Sequence, residues 1–309
     1  MLRALRMLGL VFIGLLLGLV ATGIVYRPDP APLRLRRETA VIDGTPLSYH
    51  RRGAGRDVVL LHGGMGSAED FEPVLDQLTA DYRLTVVDRP GFGLSQAPGD
   101  AATYPGNARL IAGLIRALSL VRPVIVGHSH GGGVAIAIAE DQPDVVGGLV
   151  LLAPESYPAA HAKSLDRLIA LPLLGEGLAA WVGPRLGPRT VAGILKEMIG
   201  PDRARLPADF VAYRQQLWVN PRSLAVHARQ QTSNAPGLAR VAARLGAVRS
   251  PSIVIGCAQD PTEESSVDSR RLVRELPASE LRWLEGCGHY IQYARPEVVV
   301  AAIRTIAGR

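Results

Sequence analysis

The chain has 309 residues, of which 48% are hydrophobic and 20% are charged, and this composition excludes a disordered or collagen-like protein. Its formal net charge is +6, but residues 1–37 hold six arginines against Asp29 and so carry five of those charges. The remaining residues are nearly neutral, so we expect no nucleic-acid-binding face. The length suits one large α/β domain with an insertion.

The N-terminal segment is long and apolar enough to cross a membrane. Residues 7–26 carry no formal charge, and as a helix they would reach the roughly 30 Å of a bilayer core. Arg3 and Arg6 precede them as in a secretory signal, but the apolar run is longer than that of an ordinary cleaved signal. We therefore predict an uncleaved signal anchor. Cleavage after Gly23 and a buried core helix are the alternatives.

A proline-rich stretch follows the anchor. Three prolines in residues 27–35 disfavour a helix and favour an extended tether, so we assign residues 1–37 to anchor and tether. A large C-terminal domain can be translocated whatever its local charge. We predict that the domain is extracytoplasmic, on the periplasmic side of a bacterial inner membrane, or secreted if the signal is cleaved.

Beyond the tether, short β-branched runs alternate with helical stretches, which is typical of a mostly parallel sheet flanked by helices. Residues 38–53 predict two strands that turn at Asp43 and Gly44. Six apolar runs are predicted as buried strands: 58–64, 83–91, 123–129, 147–154, 251–257 and 281–287. Helices are predicted at 68–80, 103–120, 131–142, 266–276 and 295–307.

Residues 156–245 interrupt this alternation. They hold helical stretches rich in Leu, Ala and Arg but no convincing strand. We predict that they form a helical cap over a site at the strand ends. The α/β core then comprises residues 38–155 and 246–309.

A serine stands where a strand gives way to a helix. Residues 127–131 (GHSHG) fit the pattern G-x-S-x-G, after an apolar strand and before a helix rich in Gly and Ala. Such a sharp turn lifts the serine hydroxyl clear of the sheet. The sequence predicts Ser129 as a nucleophile, with an ordinary turn serine as the alternative.

A serine nucleophile needs a base and a carboxylate that orients the base. Asp260 follows the strand at 251–257, and His289 follows the strand at 281–287. Serine, aspartate and histidine thus occur in the order expected when three strand ends converge. We predict His289 as base and Asp260 as acid, with Glu155 as an alternative acid.

The glycine-rich turn after the first core strand offers unobstructed backbone amides. A tetrahedral intermediate of acyl transfer needs two such donors, and we predict the amides of Gly64 and His130. Met65 in place of Gly64, or a turn with no catalytic task, stays open.

The other histidines are expected to support the site rather than transfer protons. We predict that His62 braces a loop and that His128 and His130 pack around or line the site. Structural roles are predicted for His50, His161 and His227.

The two cysteines, Cys257 and Cys287, precede Asp260 and His289 by three and two residues. If the two strands are neighbours, the thiols could come close, and a disulfide would join the two loops in an oxidising compartment. Two free cysteines that serve as ordinary small residues at strand ends are the alternative. The sequence contains neither C-x-x-C nor H-E-x-x-H, so we predict no metal and no cofactor.

Several motifs together resemble the α/β-hydrolase fold superfamily over roughly residues 40–309. They are LHGGMG (61–66), DRPGFGLS (88–95), GHSHGG (127–132), the Asp260 loop and GCGHY (286–290). The resemblance implies Ser129 as nucleophile, Asp260 as acid, His289 as base, Gly64 and His130 as oxyanion donors, and a cap at 156–245. A serine at the elbow speaks against the epoxide-hydrolase and haloalkane-dehalogenase branches, and leaves esterases, lipases, C–C bond hydrolases and perhydrolases.

The sequence therefore predicts a membrane-tethered serine hydrolase acting on an ester, thioester or related carbonyl through an acyl-enzyme intermediate. The Leu-rich cap suits an apolar acyl substrate, although the same residues would be needed to pack the cap. A C–C hydrolase, a lyase, a perhydrolase or an acyltransferase on the same triad, and a ligand-binding protein with a weakly active triad, are the alternatives.

Overall fold

The structure is a computed structural model and describes residues 2–26, 31–97, 99–158, 164–172, 174–263 and 267–308. An eight-stranded sheet forms its centre, with the order β1-β2-β4-β3-β5-β6-β7-β8. The strands are β1 (Glu38–Ile42), β2 (Thr45–Arg52), β3 (Arg56–Leu61), β4 (Tyr82–Val87), β5 (Val124–His128), β6 (Gly148–Leu152), β7 (Ser252–Cys257) and β8 (Ser279–Leu284). β2 pairs antiparallel with β1 and β4, and the other pairs are parallel. The predicted α/β fold with a mostly parallel sheet is confirmed.

Helices cover both faces of the sheet. The α-helices of the described chain are α1 (Leu2–Val25), α2 (Glu72–Leu75), α3 (Tyr104–Ala117), α4 (His130–Asp141), α5 (Ser164–Ile169), α6 (Leu174–Ile199), α7 (Phe210–Trp218), α8 (Pro221–Ala242), α9 (Ser269–Glu275), α10 (Ile291–Ala294) and α11 (Pro296–Ala307). Alternate residues of each central strand join opposite cores: Ile125 packs with α3 and α4, whereas Val124 and Val126 pack with α2 and α11. Because both faces are buried, the strands read as continuous apolar runs.

The leading hairpin turns where the sequence predicts it. Asp43 and Gly44 have φ angles of 47° and 76°, the left-handed geometry that suits a two-residue turn between twisted strands. The predicted helix at 68–80 is wrong in extent. A 3₁₀ turn (Ala68–Phe71) leads into the single turn of α2. Glu69 and Asp70 of this turn form buried ion pairs with Arg37 and Arg214, contacts that spacing along the chain does not reveal.

Four helices, α5 to α8, lie between β6 and β7 in the described part of the chain, in the segment predicted as the cap. α6 is 26 residues long and contains Pro184 and Pro188. α8 begins at a capping residue, Asn220, whose side chain accepts hydrogen bonds from the amides of Arg222 and Ser223. These helices stand above the carboxyl ends of the central strands.

The N-terminal helix α1 is long and apolar enough to cross a membrane, and its apolar span, Arg6–Val25, is not buried in the protein. Its C-terminal end lies on α6, where Gly23 approaches Gly177. Part of the tether, residues 27–30, lies outside the described residues. The end of the tether is held on the core, since Arg37 forms buried ion pairs with Glu69 (2.5 Å) and Asp88 (2.9 Å).

Candidate active site

Ser129 occupies a strained turn between β5 and α4. Its φ and ψ are 52° and −121°, a conformation that side chains other than glycine rarely adopt. Small neighbours make the turn possible: a Cβ atom on Gly127 would lie 2.4 Å from the Gly131 carbonyl oxygen, and one on Gly131 would lie 2.3 Å from the Leu61 carbonyl oxygen. The G-x-S-x-G spacing therefore follows from close packing of the helix against the sheet.

His289 and Asp260 meet at the ends of β8 and β7. His289 Nδ1 donates to Asp260 Oδ2 over 2.6 Å, and both side chains are buried. Asp260 Oδ1 also accepts from the amide (2.9 Å) and the hydroxyl (2.7 Å) of Thr262. These bonds fix the carboxylate and leave His289 Nε2 as the ring nitrogen able to take a proton.

Asp260 and His289 each stabilise the charged form of the other. Burial acts to raise the pKa of Asp260, but His289 and the hydrogen bonds from Thr262 outweigh it and hold that pKa below its ordinary value. Burial acts to lower the pKa of His289, and Asp260 more than compensates, so that pKa lies above its ordinary value. The arrangement can accept a proton at His289 and stabilise the resulting cation.

His128 binds the backbone of the loop that carries His289. Its Nε2 donates to the backbone oxygen of His289 over 2.9 Å, and the two rings lie 4.7 Å apart. Burial brings the pKa of His128 far below the ordinary value, so the ring is neutral. This contact fits the predicted packing role.

A disulfide joins the two strand ends that carry Asp260 and His289. The sulfur atoms of Cys257 and Cys287 are 1.99 Å apart and the Cα atoms 5.8 Å apart. Both cysteines are fully buried. The bond proposed from the sequence is present, and it links the loops of the predicted acid and base.

Gly64 borders the cavity above Ser129, in a loop held by a buried arginine. Arg89 donates to the carbonyl oxygens of His62 (2.6 Å) and Gly63 (2.7 Å). In a trans peptide the next amide points the opposite way, so the Gly64 N–H faces away from Arg89. His62 braces this loop as predicted, since its Nδ1 donates to the Gly63 oxygen (2.8 Å) and its Nε2 accepts from the Arg89 amide (2.9 Å).

The second predicted oxyanion donor is the amide of His130, the first residue of α4, which has no acceptor within the helix. The His130 ring stacks on Tyr104 with centroids 4.3 Å apart. Glu155, the alternative acid, accepts from the Tyr104 hydroxyl (2.5 Å) and lies 3.1 Å from His130 Nδ1. The contacts of Glu155 with these two side chains place it on the nucleophile side of the site, whereas Asp260 holds His289.

A cavity of about 570 Å³ lies between the core and the helices of the predicted cap, within the usual size for small-molecule sites. Ser129, His289 and Gly64 lie on the core side. The cap contributes mainly apolar side chains, namely Leu165, Ile169, Val182, Leu186, Val191, Ile194, Met198, Trp218 and Leu224. An apolar pocket is therefore built over the predicted nucleophile.

The structure corrects the interpretation of one histidine. His227 was predicted to be purely structural, yet it lines the cavity, and a Cβ atom on Gly64 would lie 3.8 Å from its ring. Burial lowers its pKa to about 4, so the ring is neutral. His50 Nδ1 donates to the Arg36 carbonyl oxygen, away from the site, and His161 lies outside the described residues.

The charged groups of the cavity are mostly acidic. Arg214 is the single lysine or arginine among the described lining residues, and Asp70 neutralises it at 2.6 Å, with both side chains buried. Glu155 and Asp166 add further carboxylates. No group of three or more His, Cys, Asp or Glu side chains in the described part of the chain is arranged to hold a metal ion.

A family model described as the alpha/beta hydrolase family matches residues 58–302. The chain belongs to the alpha/beta hydrolase family. It is 30% identical to a 2-hydroxy-6-oxononadienedioate/2-hydroxy-6-oxononatrienedioate hydrolase of Burkholderia vietnamiensis, over 83% of this chain and 90% of that protein. It is 26% identical to a 2-(acetamidomethylene)succinate hydrolase of Mesorhizobium japonicum, again over 83% of this chain and 90% of that protein.

Solved structures share the fold of this alpha/beta hydrolase. A thermophilic esterase from Thermogutta terrifontis superposes with a TM-score of 0.71 at 22% identity, covering 88% of this chain and 98% of that one. A meta-cleavage product hydrolase from Pseudomonas fluorescens superposes with a TM-score of 0.70 at 21% identity, covering 88% and 97%. At such identities the likeness shows the fold alone.

Sequence reasoning missed three supporting residues. Thr262 follows Asp260 by two positions, and an aspartate commonly binds the amide two residues on, so this contact had a local signal. Arg89 and Arg214 had none. Each binds groups that are distant in sequence, and an isolated arginine does not reveal that it is buried.

Proposed function

We propose that this alpha/beta hydrolase cleaves an ester, thioester or related carbonyl compound through an acyl-enzyme intermediate on Ser129. The observation that carries the proposal is the placement of Ser129 and His289 on one cavity, with Asp260 bound to His289. Ser129 stands on a strained turn, His289 lines the same cavity, and Asp260 binds His289 on the side away from Nε2. This is the arrangement that activates a serine hydroxyl.

In this proposal His289 Nε2 takes the proton of Ser129 as Oγ attacks the substrate carbonyl. The amides of Gly64 and His130 stabilise the oxyanion that forms. His289 then returns the proton to the leaving group, and the bond from the carbonyl carbon to that group breaks. Water repeats the sequence on the acyl-enzyme, with His289 again as base.

The charges of the cavity favour an uncharged, apolar acyl substrate of the carboxylesterase or lipase type. Its one lining arginine, Arg214, is already neutralised by Asp70, and Glu155 and Asp166 would repel an anion. The relative from Burkholderia vietnamiensis is named for dienedioate substrates, which are dicarboxylates. C–C bond hydrolysis on the same triad is the second candidate, and the names of these relatives favour it, but a dianion would meet no free arginine or lysine among the described lining residues.

The test is hydrolysis of nitrophenyl esters of increasing acyl length by the full chain and by Ser129→Ala. We expect activity that peaks at one acyl length and falls by several orders of magnitude in the variant. Ser252→Ala is the matched control, because Ser252 is also buried but lies at the opposite end of β7 and bonds to the Ser250 carbonyl. Equal activity of Ser129→Ala and the control would refute the proposal.

If the protein cleaves a carbon–carbon bond of a ring-opened dienoate and leaves the nitrophenyl esters intact, C–C bond hydrolysis is supported instead. Loss of this activity in Ser129→Ala would still assign the serine. If neither substrate class is cleaved and a fluorophosphonate labels Ser129 only slowly, the chain is better described as a ligand-binding protein.

We further propose that the hydrolase domain lies outside the cytoplasm, anchored by α1. The Cys257–Cys287 disulfide supports this location, because such bonds persist in oxidising compartments and are rare in the cytosol.

A further inference from the structure

Exposed apolar side chains are concentrated on α5, α6 and the turn between them. Of the ten large hydrophobic residues exposed in the described chain after residue 30, six lie between residues 164 and 199. We call them the cap patch: Leu165, Leu168, Leu171, Trp181, Leu186 and Ile194. Soluble monomeric proteins rarely expose a large apolar patch unless it binds another protein, a membrane or a ligand.

The end of the apolar helix α1 lies on one of these two helices. A Cβ atom on Gly177 of α6 would lie 2.0 Å from the Leu19 carbonyl oxygen, and one on Gly23 would lie 2.7 Å from the Gly177 amide. The two backbones are therefore in direct contact. Because most of the apolar span of α1 is exposed and its C-terminal part lies on α6, a bilayer that holds α1 meets the rest of the molecule at α6.

The cap patch borders the cavity. Three residues of the cap patch line the cavity and are also exposed to solvent: Leu165 (43% exposed), Leu186 (62%) and Ile194 (39%). α6 thus contacts α1 through its first turns and forms a wall of the cavity further along.

Trp181 and Arg185 form a pair suited to lipid headgroups. Trp181 is 57% exposed, and the Arg185 guanidinium lies 4.3 Å from the centre of its indole ring. Tryptophan and arginine are both favoured where the acyl chains of a bilayer meet its headgroups.

We propose that the cap patch lies in the surface of the bilayer that holds α1, and that the cavity takes its substrate, an uncharged ester with a long acyl chain, directly from that bilayer. The docking follows from the contact of α1 with α6 and from the apolar rim of the cavity. The substrate class rests on the proposed hydrolase function.

Fluorescence quenching in vesicles tests the docking without any enzyme assay. The protein has three tryptophans, of which Trp218 lines the cavity and Trp283 lies on β8 under the Arg270 guanidinium. The full chain is reconstituted in phosphatidylcholine–phosphatidylglycerol vesicles with brominated acyl chains. We expect Trp181→Phe to lose at least about half of the quenching and the control Trp283→Phe to keep it. Equal quenching in both variants would overturn the docking.

Substitutions outside the cavity lining test the route of the substrate. Leu168→Glu with Leu171→Glu adds two charges to the cap patch, and Val121→Glu makes the same change at a residue that is 75% exposed beside the amino end of β5. We expect hydrolysis of a long-chain ester dissolved in vesicles to fall about tenfold or more in the double variant, since apolar burial of leucine is lost. Hydrolysis of a short soluble ester, and both activities of Val121→Glu, should stay unchanged.

The outcomes separate this inference from the function on which it rests. If no ester is cleaved but Trp181 is quenched as expected, the docking stands and the hydrolase proposal fails. Equal losses on both esters in the double variant would overturn entry from the bilayer. A double variant that turns a dimer into a monomer in detergent, with unchanged quenching, would assign the cap patch to a second copy of the chain and overturn the docking.

Discussion

At the scale of single residues, the pair of Asp260 and His289 controls how the site responds to pH. His289 must be neutral to accept a proton from Ser129, so activity falls as the pH drops through the pKa of His289. Asp260 holds this pKa above the ordinary value of 6.5 against the opposing effect of burial. The acid limb of the activity profile should therefore lie above pH 6.5.

Replacement of Asp260 by asparagine should have two effects that are measured together. The turnover should fall by on the order of 10³ to 10⁴, because the imidazole loses its orientation and its counter-charge. The midpoint of the acid limb should also move below that of the wild type, because the largest effect that opposes burial at His289 is then lost. Steady-state rates from pH 5 to 9 in both proteins give both quantities.

Glu155→Gln is the matched control for this experiment, since Glu155 is the other carboxylate near the nucleophile and bonds to Tyr104 and His130. Its acid limb should move less than that of Asp260→Asn, because Glu155 raises the pKa of His289 less than Asp260 does. A shift with Glu155→Gln and none with Asp260→Asn would assign the orienting acid to Glu155.

The residues with their own chemistry could be predicted from the sequence, because each follows an apolar strand at a recognisable turn. Their partners could not. Arg89 binds carbonyl groups 26 and 27 positions away, and His128 binds His289 across 161 positions. Such contacts depend on how strands are ordered in the sheet, which spacing along the chain does not encode.

At the scale of elements, the strands of the sheet could be predicted from the sequence, but the docking of the cap helices could not. Strands buried on both faces require continuous apolar runs, and these are visible in the sequence. Cap helices bury only one side, and their docking depends on close contacts of small residues, such as Gly177 on α6 with α1. The cap could therefore be predicted as a helical segment, but the route that its helices take across the cavity could not.

The disulfide should stabilise the two loops that carry the predicted acid and base. It closes a loop of 30 residues, which in the chain-entropy account is worth about 3 to 4 kcal/mol. The double variant Cys257→Ala with Cys287→Ala should unfold at lower denaturant concentration and have reduced turnover. Because both cysteines are fully buried, thiol reductant should alter the native wild-type protein only slowly. Denaturant midpoints and rates with and without dithiothreitol test this, and a fully active, equally stable variant would contradict it.

Two glycines of α6 provide a matched test of its contact with α1. A side chain at Gly177 would meet the Leu19 carbonyl at 2.0 Å, whereas one at Gly193 would meet nothing within 4 Å. Gly193→Ala should raise stability by about 0.5 to 1 kcal/mol, as alanine favours a helix. Gly177→Ala should lower it by about 1 to 3 kcal/mol, because the two helices must separate. Thermal unfolding of the full chain in detergent distinguishes them, and equal shifts would show that α1 does not pack on α6.

At the scale of the whole molecule, the apolar helix α1 and the disulfide are two independent observations that bear on the cellular location of the hydrolase domain. α1 has a span of 20 residues, Arg6–Val25, that is long and apolar enough to cross a membrane and is not buried in the protein, which favours either a bilayer or removal of the segment. The disulfide requires an oxidising environment for its formation. An anchored domain on the outer side of the membrane agrees with both observations.

Reporter fusions should establish this topology. Alkaline phosphatase, which is active only after export, should be active when fused after residue 309, and a green fluorescent protein that matures only in the cytoplasm should stay dark there. Deletion of residues 2–26 should reverse both signals. The full chain should resist extraction from membranes by alkaline carbonate, because a span of this length is effectively irreversibly inserted, whereas a signal cleaved after Gly23 would release the domain in soluble form. A fluorescent, phosphatase-negative fusion of the full chain would place the domain in the cytoplasm, where the Cys257–Cys287 bond would have to form against the reducing glutathione pool.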